Sequence, residues 1–167
     1  GSEMCIRDSI KVFGADGDIE KEKFIEEFVK LCKDAENIGT KIAMEFMPFK
    51  KDMNCIKQGL EVFRAAGCKN GGFCLDSWHT FMGPSSYDDI SLIKPEEIIH
   101  VELDDGYAEL VSGSMWRDTC DYRLPAGEGD FECGDFMKRV LDLGYKETIG
   151  CEIIAIDHRE LPLKRAA

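Results

Sequence analysis

Basic charge is scarce in this chain: 21 Lys and Arg stand against 33 Asp and Glu, a net charge of −12 over 167 residues. Nucleic-acid binders gather Lys and Arg to meet phosphates, so this balance argues against a nucleic-acid partner. No apolar run approaches the roughly 20 residues that span a bilayer, which argues against a membrane partner. The eight cysteines (Cys5, Cys32, Cys55, Cys68, Cys74, Cys120, Cys133 and Cys151) contain no C-x-x-C pair, and Cys74 and Cys151 lie inside apolar runs. That argues against a disulfide framework or a zinc finger and predicts reduced thiols in a cytoplasmic protein. A glycine-rich phosphate fingerprint is also missing. The remaining composition, 44% hydrophobic and 32% charged, is that of an ordinary globular domain.

What the chain does have is a carboxylate in or at the end of four short apolar runs: IAMEF with Glu45, GFCLD with Asp76, HVELDD with Glu102 and IGCEII with Glu152. An unpaired charge in an apolar strand costs several kcal/mol. Four of them on successive strands imply a shared countercharge, and a divalent metal is the first candidate. The alternative is pairing with Arg or Lys.

The runs belong to a repeating unit. Ile10–Phe13 reads as a strand. Asp18 can cap a helix reaching to about Ile38, with Phe24, Phe28, Leu31, Ala35 and Ile38 on one face. Gly39 ends it, and strand Lys41–Phe46 follows. A second helix from about Asn54 to Gly67 leads to strand Gly72–Asp76, and a short helix near Asp88–Ile93 leads to strand Ile98–Asp104. Residues 106–131 read as one long irregular stretch, of the kind that is usually functional or disordered. A last helix, about Gly134–Leu143, feeds strand Thr148–Ile154.

Strand–helix alternation with short connections predicts a parallel sheet. Period-two spacing puts Ala43 with Glu45, Cys74 with Asp76, and Gly150 with Glu152 on one face, and Ile42, Met44, Phe73 and Leu75 on the other. Helices would cover the large side, while a confined interior takes the small residues, with the acids at the C-terminal strand ends. This is the layout of a (β/α) barrel site, favoured here over an open doubly wound sheet.

With the strands placed, MEFMPF (44–49), CLDSWHT (74–80), IIHVELDDG (98–106), RLPAGEGDF (123–131) and GCEII (150–154) resemble, in order and spacing, the xylose-isomerase-like TIM-barrel superfamily, specifically its sugar phosphate isomerase/epimerase members. The expected fold is therefore α/β, a partial (β/α)8 barrel of about strands three to seven. In this reading residues 1–9 are a non-native leader, 10–157 the barrel part and 158–167 a truncated tail. The resemblance implies metal ligands at Glu45, Asp76, Glu102 and Glu152, of which Glu102 stands where relatives commonly carry His or Gln. An all-oxygen set favours Mn²⁺ or Mg²⁺, and an added imidazole would bring in Zn²⁺ or Co²⁺. It also places His79, Arg123 and Trp78 on the substrate, with Arg123 gripping a substrate oxygen and Trp78 walling the sugar carbons or packing at the mouth. His100, Asp105 and Glu128 are further candidates.

The implied activity is a metal-dependent isomerase or epimerase that moves a proton next to a carbonyl through an enediolate, with Glu45 and Glu152 as acid and base. The implied partner is a small polyhydroxy carbonyl substrate, and homo-oligomerisation is left open. Two alternatives stand beside it. One is an inosose-type dehydratase on the same metal site. The other is an inactive fragment or non-catalytic sugar-binding barrel.

Overall fold

The computed structural model describes residues 8–14 and 19–166. Five parallel strands form one sheet: β1 (Ser9–Phe13), β2 (Lys41–Glu45), β3 (Gly71–Asp76), β4 (Ile98–Glu102) and β5 (Ile149–Gly150). Each pairs with the next, in the order β1-β2-β3-β4-β5. A doubly wound sheet would reverse its strand order at a switch point. This one does not, which is the wall of a (β/α) barrel.

Helices α1 (Lys21–Asn37) and α2 (Ile56–Ala66) join β1 to β2 and β2 to β3. Their apolar faces, with Phe24, Phe28, Leu60 and Phe63, pack on the large residues of the strands, Ile42, Met44, Phe73 and Leu75. The Phe63 and Phe73 rings meet edge-on with centroids 4.7 Å apart. That approach needs Gly59, because a Cβ there would fall 2.4 Å from the Phe73 ring. Helix α2 stops at Gly67, whose φ of +64° suits glycine. In α1 the buried stripe is Phe24, Phe28, Cys32 and Ala35, whereas Leu31 and Ile38 are exposed. The face expected from spacing is thus turned toward Cys32, since an i, i+4 row from Phe28 meets the sheet there. Asp18, the expected cap, lies outside the described residues, as do residues 1–7. Ser9 is already part of β1, paired with Lys41.

The register delivers the acids to one level. Glu45 pairs with Cys74, Asp76 with Glu102, and Glu102 with Gly150. A one-residue irregularity in β4 skips Ile99, so Ile98 pairs with Phe73 and His100 with Cys74. The extra residue lets Ile98 and Val101 both face the helices while His100 and Glu102 face inward.

Three elements differ from the sequence expectation. Ser77–Met82 is a helix (α3), capped by the Asp76 carboxylate, which accepts from His79 N–H at 2.9 Å. The stretch 106–131 contains α4 (Met115–Asp121), capped by Ser114. Strand β5 covers only Ile149–Gly150 of the expected 148–154. Past it Ile154 N–H donates to Glu152 O at 3.1 Å, a turn that ends the extended path. Helices α5 (Cys133–Asp142), α6 (Ile156–Arg159) and α7 (Leu163–Ala166) complete the described chain.

Candidate metal centre

Glu45, Asp76 and Glu102 are the last residues of β2, β3 and β4, and all three are buried. Glu152 sits two residues past β5 with a quarter of its side chain exposed. One carboxylate oxygen from each of the four lies within 4.8 Å of the others. The strand ends thus bring the four acids to one place.

Two cations reach into the cluster. Lys11 Nζ, from β1, lies 2.7 Å from Glu152 Oε1, 2.8 Å from Glu102 Oε2 and 3.5 Å from Glu45 Oε1. Burial pulls its ammonium down, but the fields of Glu45, Glu102 and Glu152 outweigh that and the net direction is up. Sequence reasoning passed over Lys11, yet its signal was present. In SIKVF it alternates with Ile10 and Val12, and it pairs with Ala43 on the small-and-acid face.

Arg123 is the second cation, 2% exposed. The resemblance assigns it to a substrate oxygen, but its five N–H groups are all committed inside the protein. Nε donates to Thr119 O at 2.8 Å, and Nη2 to Thr119 Oγ1 at 2.7 Å and to His79 Nε2 at 3.2 Å. Nη1 serves Asp76 Oδ2 at 2.7 Å and Asp104 Oδ2, with Glu152 Oε2 at 3.3 Å. No donor remains for a ligand. Trp78, expected to wall the sugar carbons or to pack at the mouth, is 2% exposed and packs with Phe131 and Cys133, with the Arg123 guanidinium 5.7 Å from its ring centroid.

The carboxyls divide by their neighbours. Burial would raise Asp76, but Arg123 and the His79 N–H hold it at about 2. Burial raises Glu45 to about 9, helped by Asp76, Glu102 and Glu152 against the pull of Lys11. Asp104, raised by burial and by Asp76, lies at about 8; Ser77 Oγ contacts its Oδ1 at 2.8 Å and Trp78 N–H donates to it at 3.0 Å.

His79 is 1% exposed, and burial lowers it to about 4. Arginine can only donate, so His79 Nε2 accepts and Nδ1 carries the proton. Nδ1 is buried without a hydrogen-bond partner. His100 Nε2 lies 3.7 Å from Glu102 Oε1, against Gly150, where a Cβ would come 3.0 Å from that nitrogen.

Asp105 anchors the RLPAGEGDF segment. Its carboxylate accepts from Gly127 N–H at 2.9 Å and Phe131 N–H at 3.0 Å, and its backbone exchanges two bonds with Leu124. Glu128 is exposed on the outer turn of that segment. Beside the strand ends an open hollow of about 700 Å³ is lined by Phe13, Met47, Phe49, Lys50 and Trp116.

The donor set fits a divalent cation. Five carboxyls (Glu45, Asp76, Glu102, Asp104 and Glu152) face two cations, Lys11 and Arg123, and the excess is relieved in part by protons on Glu45 and Asp104. Four converging oxygens with surplus negative charge suit a hard ion.

Sequential parallel strands with carboxylates at their C-terminal ends define a (β/α) barrel protein with a candidate metal centre. The chain belongs to the xylose isomerase-like TIM barrel family, whose model matches residues 10–167. The 3-dehydroshikimate dehydratase of Pseudomonas aeruginosa is 25% identical over 138 residues, covering 83% of this chain and 22% of that protein. The inosose isomerase of Bacillus licheniformis is 24% identical over 142 residues, covering 84% and 50%. Among solved structures, an IOLI protein with a binding zinc atom superposes with a TM-score of 0.79 at 20% identity, covering 95% of this chain and 58% of that one. D-allulose 3-epimerase from Methylomonas sp., in complex with D-allulose, gives 0.66 at 15% identity, covering 85% and 49%. These structural likenesses show the fold. The chain spans at most half the length of the two curated relatives. No helix among the described residues is long and apolar enough to cross a membrane, and the described cysteines are free thiols.

Proposed function

We propose that the protein is a metal-dependent isomerase or epimerase of a small polyhydroxy carbonyl compound, working by proton transfer beside the carbonyl. The observation that carries this reading is the convergence of Glu45, Asp76, Glu102 and Glu152 at the strand ends. These four would hold the ion, Mn²⁺ or Mg²⁺ by their all-oxygen chemistry. The ion would supply Lewis-acid stabilisation of the negative charge developing on the substrate oxygens.

The residues of the chain do the rest. Glu45, at the end of β2, and Glu152, just past β5 and the most exposed of the four, are the carboxylates that would exchange the substrate proton. Arg123 fixes Asp76 instead of the substrate. His79 offers its unpartnered Nδ1–H. The hollow beside β1 and β2, with Phe13, Phe49 and Trp116, gives the carbon skeleton an apolar wall. Return of the proton to the other face of the same carbon epimerises, and return to its neighbour isomerises.

The similarity to a 3-dehydroshikimate dehydratase favours a second reading, loss of water on the same site. Product analysis with ketoses, inososes and 3-dehydroshikimate separates the two, since only elimination yields a dehydrated product. Glu152→Gln keeps the size of the side chain and removes its basicity. Turnover is expected to fall by at least about a hundredfold, the usual scale of a lost acid–base group. Full turnover by this variant, or after chelator treatment, would sink the proposal.

A further inference from the structure

The ammonium of Lys11 lies where three of the four candidate ligand oxygens meet, 2.7 Å from Glu152, 2.8 Å from Glu102 and 3.5 Å from Glu45. An ion bound by the same oxygens would need that volume. It would also set the two charges of a divalent ion against the ammonium at contact distance, where like charges repel strongly. The two cannot share the place, so one must yield.

Lysine is built to yield here and arginine is not. The Lys11 side chain is 28% exposed, and it stands on β1 beside the hollow lined by Phe13 and Met47. Its stem has four rotatable bonds and, among the described residues, its ammonium contacts only the three carboxylates. Arg123 is 1% exposed at its side chain and tied by five hydrogen bonds to four residues besides Glu152.

We infer that Lys11 is an internal counter-cation that occupies the carboxylate centre and is displaced by the divalent metal, so that it sets the metal affinity of the site. The inference rests on the reading of Glu45, Asp76, Glu102 and Glu152 as metal ligands. In the metal-free protein Lys11 holds these acids together. When a metal enters, the ammonium swings out toward the hollow, keeping a positive charge at its rim.

The test is a Mn²⁺ titration of the chelator-treated protein, with free Mn²⁺ read by its EPR signal, comparing wild type with Lys11→Met and Lys11→Gln. Thermal unfolding of each is followed with and without Mn²⁺. Both variants are expected to bind Mn²⁺ at least about tenfold tighter than wild type. Both should melt lower without metal and regain most of the difference when Mn²⁺ is added. Binding by wild type with equal or weaker binding by both variants overturns the displacement inference and leaves the ligand assignment intact. Absence of binding in all three proteins overturns the ligand assignment and the inference with it. If one variant fails to fold without metal, its rescue by Mn²⁺ supports the inference, and the affinity of the other decides it.

Discussion

Arg123 and Lys11 enter the same acidic cluster and are held in opposite ways. Arg123 is buried, planar and saturated: five N–H groups meet Thr119, His79, Asp76 and Asp104. Lys11 is part-exposed, and among the described residues its ammonium meets only carboxylates. The acids near Arg123 are also bound by the backbone, Asp76 by His79 N–H and Asp104 by Trp78 N–H, whereas the three around Lys11 have no backbone donor among the described contacts. One half of the cluster is a finished structural unit. The other is an excess of negative charge contained by one movable cation and a proton. A cluster divided in this way keeps its ligands in position while leaving a vacancy to be made for an incoming ion.

The largest effect that tests this division is loss of Arg123. Arg123→Met leaves Asp76 and Asp104 buried without their counter-ion, a change that costs about 3–5 kcal/mol. Urea unfolding should show it as a lowered midpoint. Arg123→Lys should recover little, because an ammonium offers three donors and no planar fork. Lys11→Met is expected to cost clearly less than Arg123→Met, since solvent reaches that half of the cluster and Glu45 can keep its proton. Equal losses at the two positions would erase the distinction between them.

The parts of this arrangement differ in how far the sequence revealed them. The alternation of Ala43 with Glu45 and of Cys74 with Asp76 was legible because a strand buried on both faces, one of them lined by acids, leaves a period-two trace. The glycines at 39, 67 and 144 marked helix ends through their positive φ. Helices α3 and α4 were not legible: at six and seven residues they are too short to show a 3.6-residue period, and their caps, Asp76 and Ser114, read equally well as strand end and loop. Arg123 was singled out, but its role was not, since nothing local in RLPAGEGDF says that Asp76, 47 residues earlier, takes its charge. Lys11 was overlooked for the opposite reason. Its strand is short, and an exposed lysine is the ordinary reading of such a position. Only pairing with β2 turns it toward the acids.

The raised and the lowered acids of the cluster should also answer to pH with opposite sign, a smaller effect than loss of Arg123 but one that needs no substitution. Glu45 holds its proton to about 9 and Asp104 to about 8, both above the ordinary carboxyl range. A group raised by folding contributes stability below its unfolded value and loses it as pH rises through the folded one. Asp76, held at about 2, contributes above the ordinary aspartate value and loses its share only as pH falls toward 2. His79, lowered to about 4, makes the fold less stable as pH falls from 6.5 toward 4, because the unfolded chain takes a proton that the buried ring does not. Above about pH 7, where the unfolded histidine is itself neutral, the raised carboxyls Glu45 and Asp104 lead the slope among the described acids and His79. The metal-free protein should lose stability on going alkaline, by up to about 1.4 kcal/mol per pH unit for each proton. Urea midpoints at pH 6.5, 7.25 and 8 in chelator measure it. Glu45→Gln, which keeps a neutral side chain of the same shape, should flatten the slope and gain on wild type as pH rises. A midpoint that stays level or climbs from pH 6.5 to 8 in the metal-free protein would mean that neither Glu45 nor Asp104 keeps a proton that the unfolded chain has lost, and that the cluster carries no surplus negative charge.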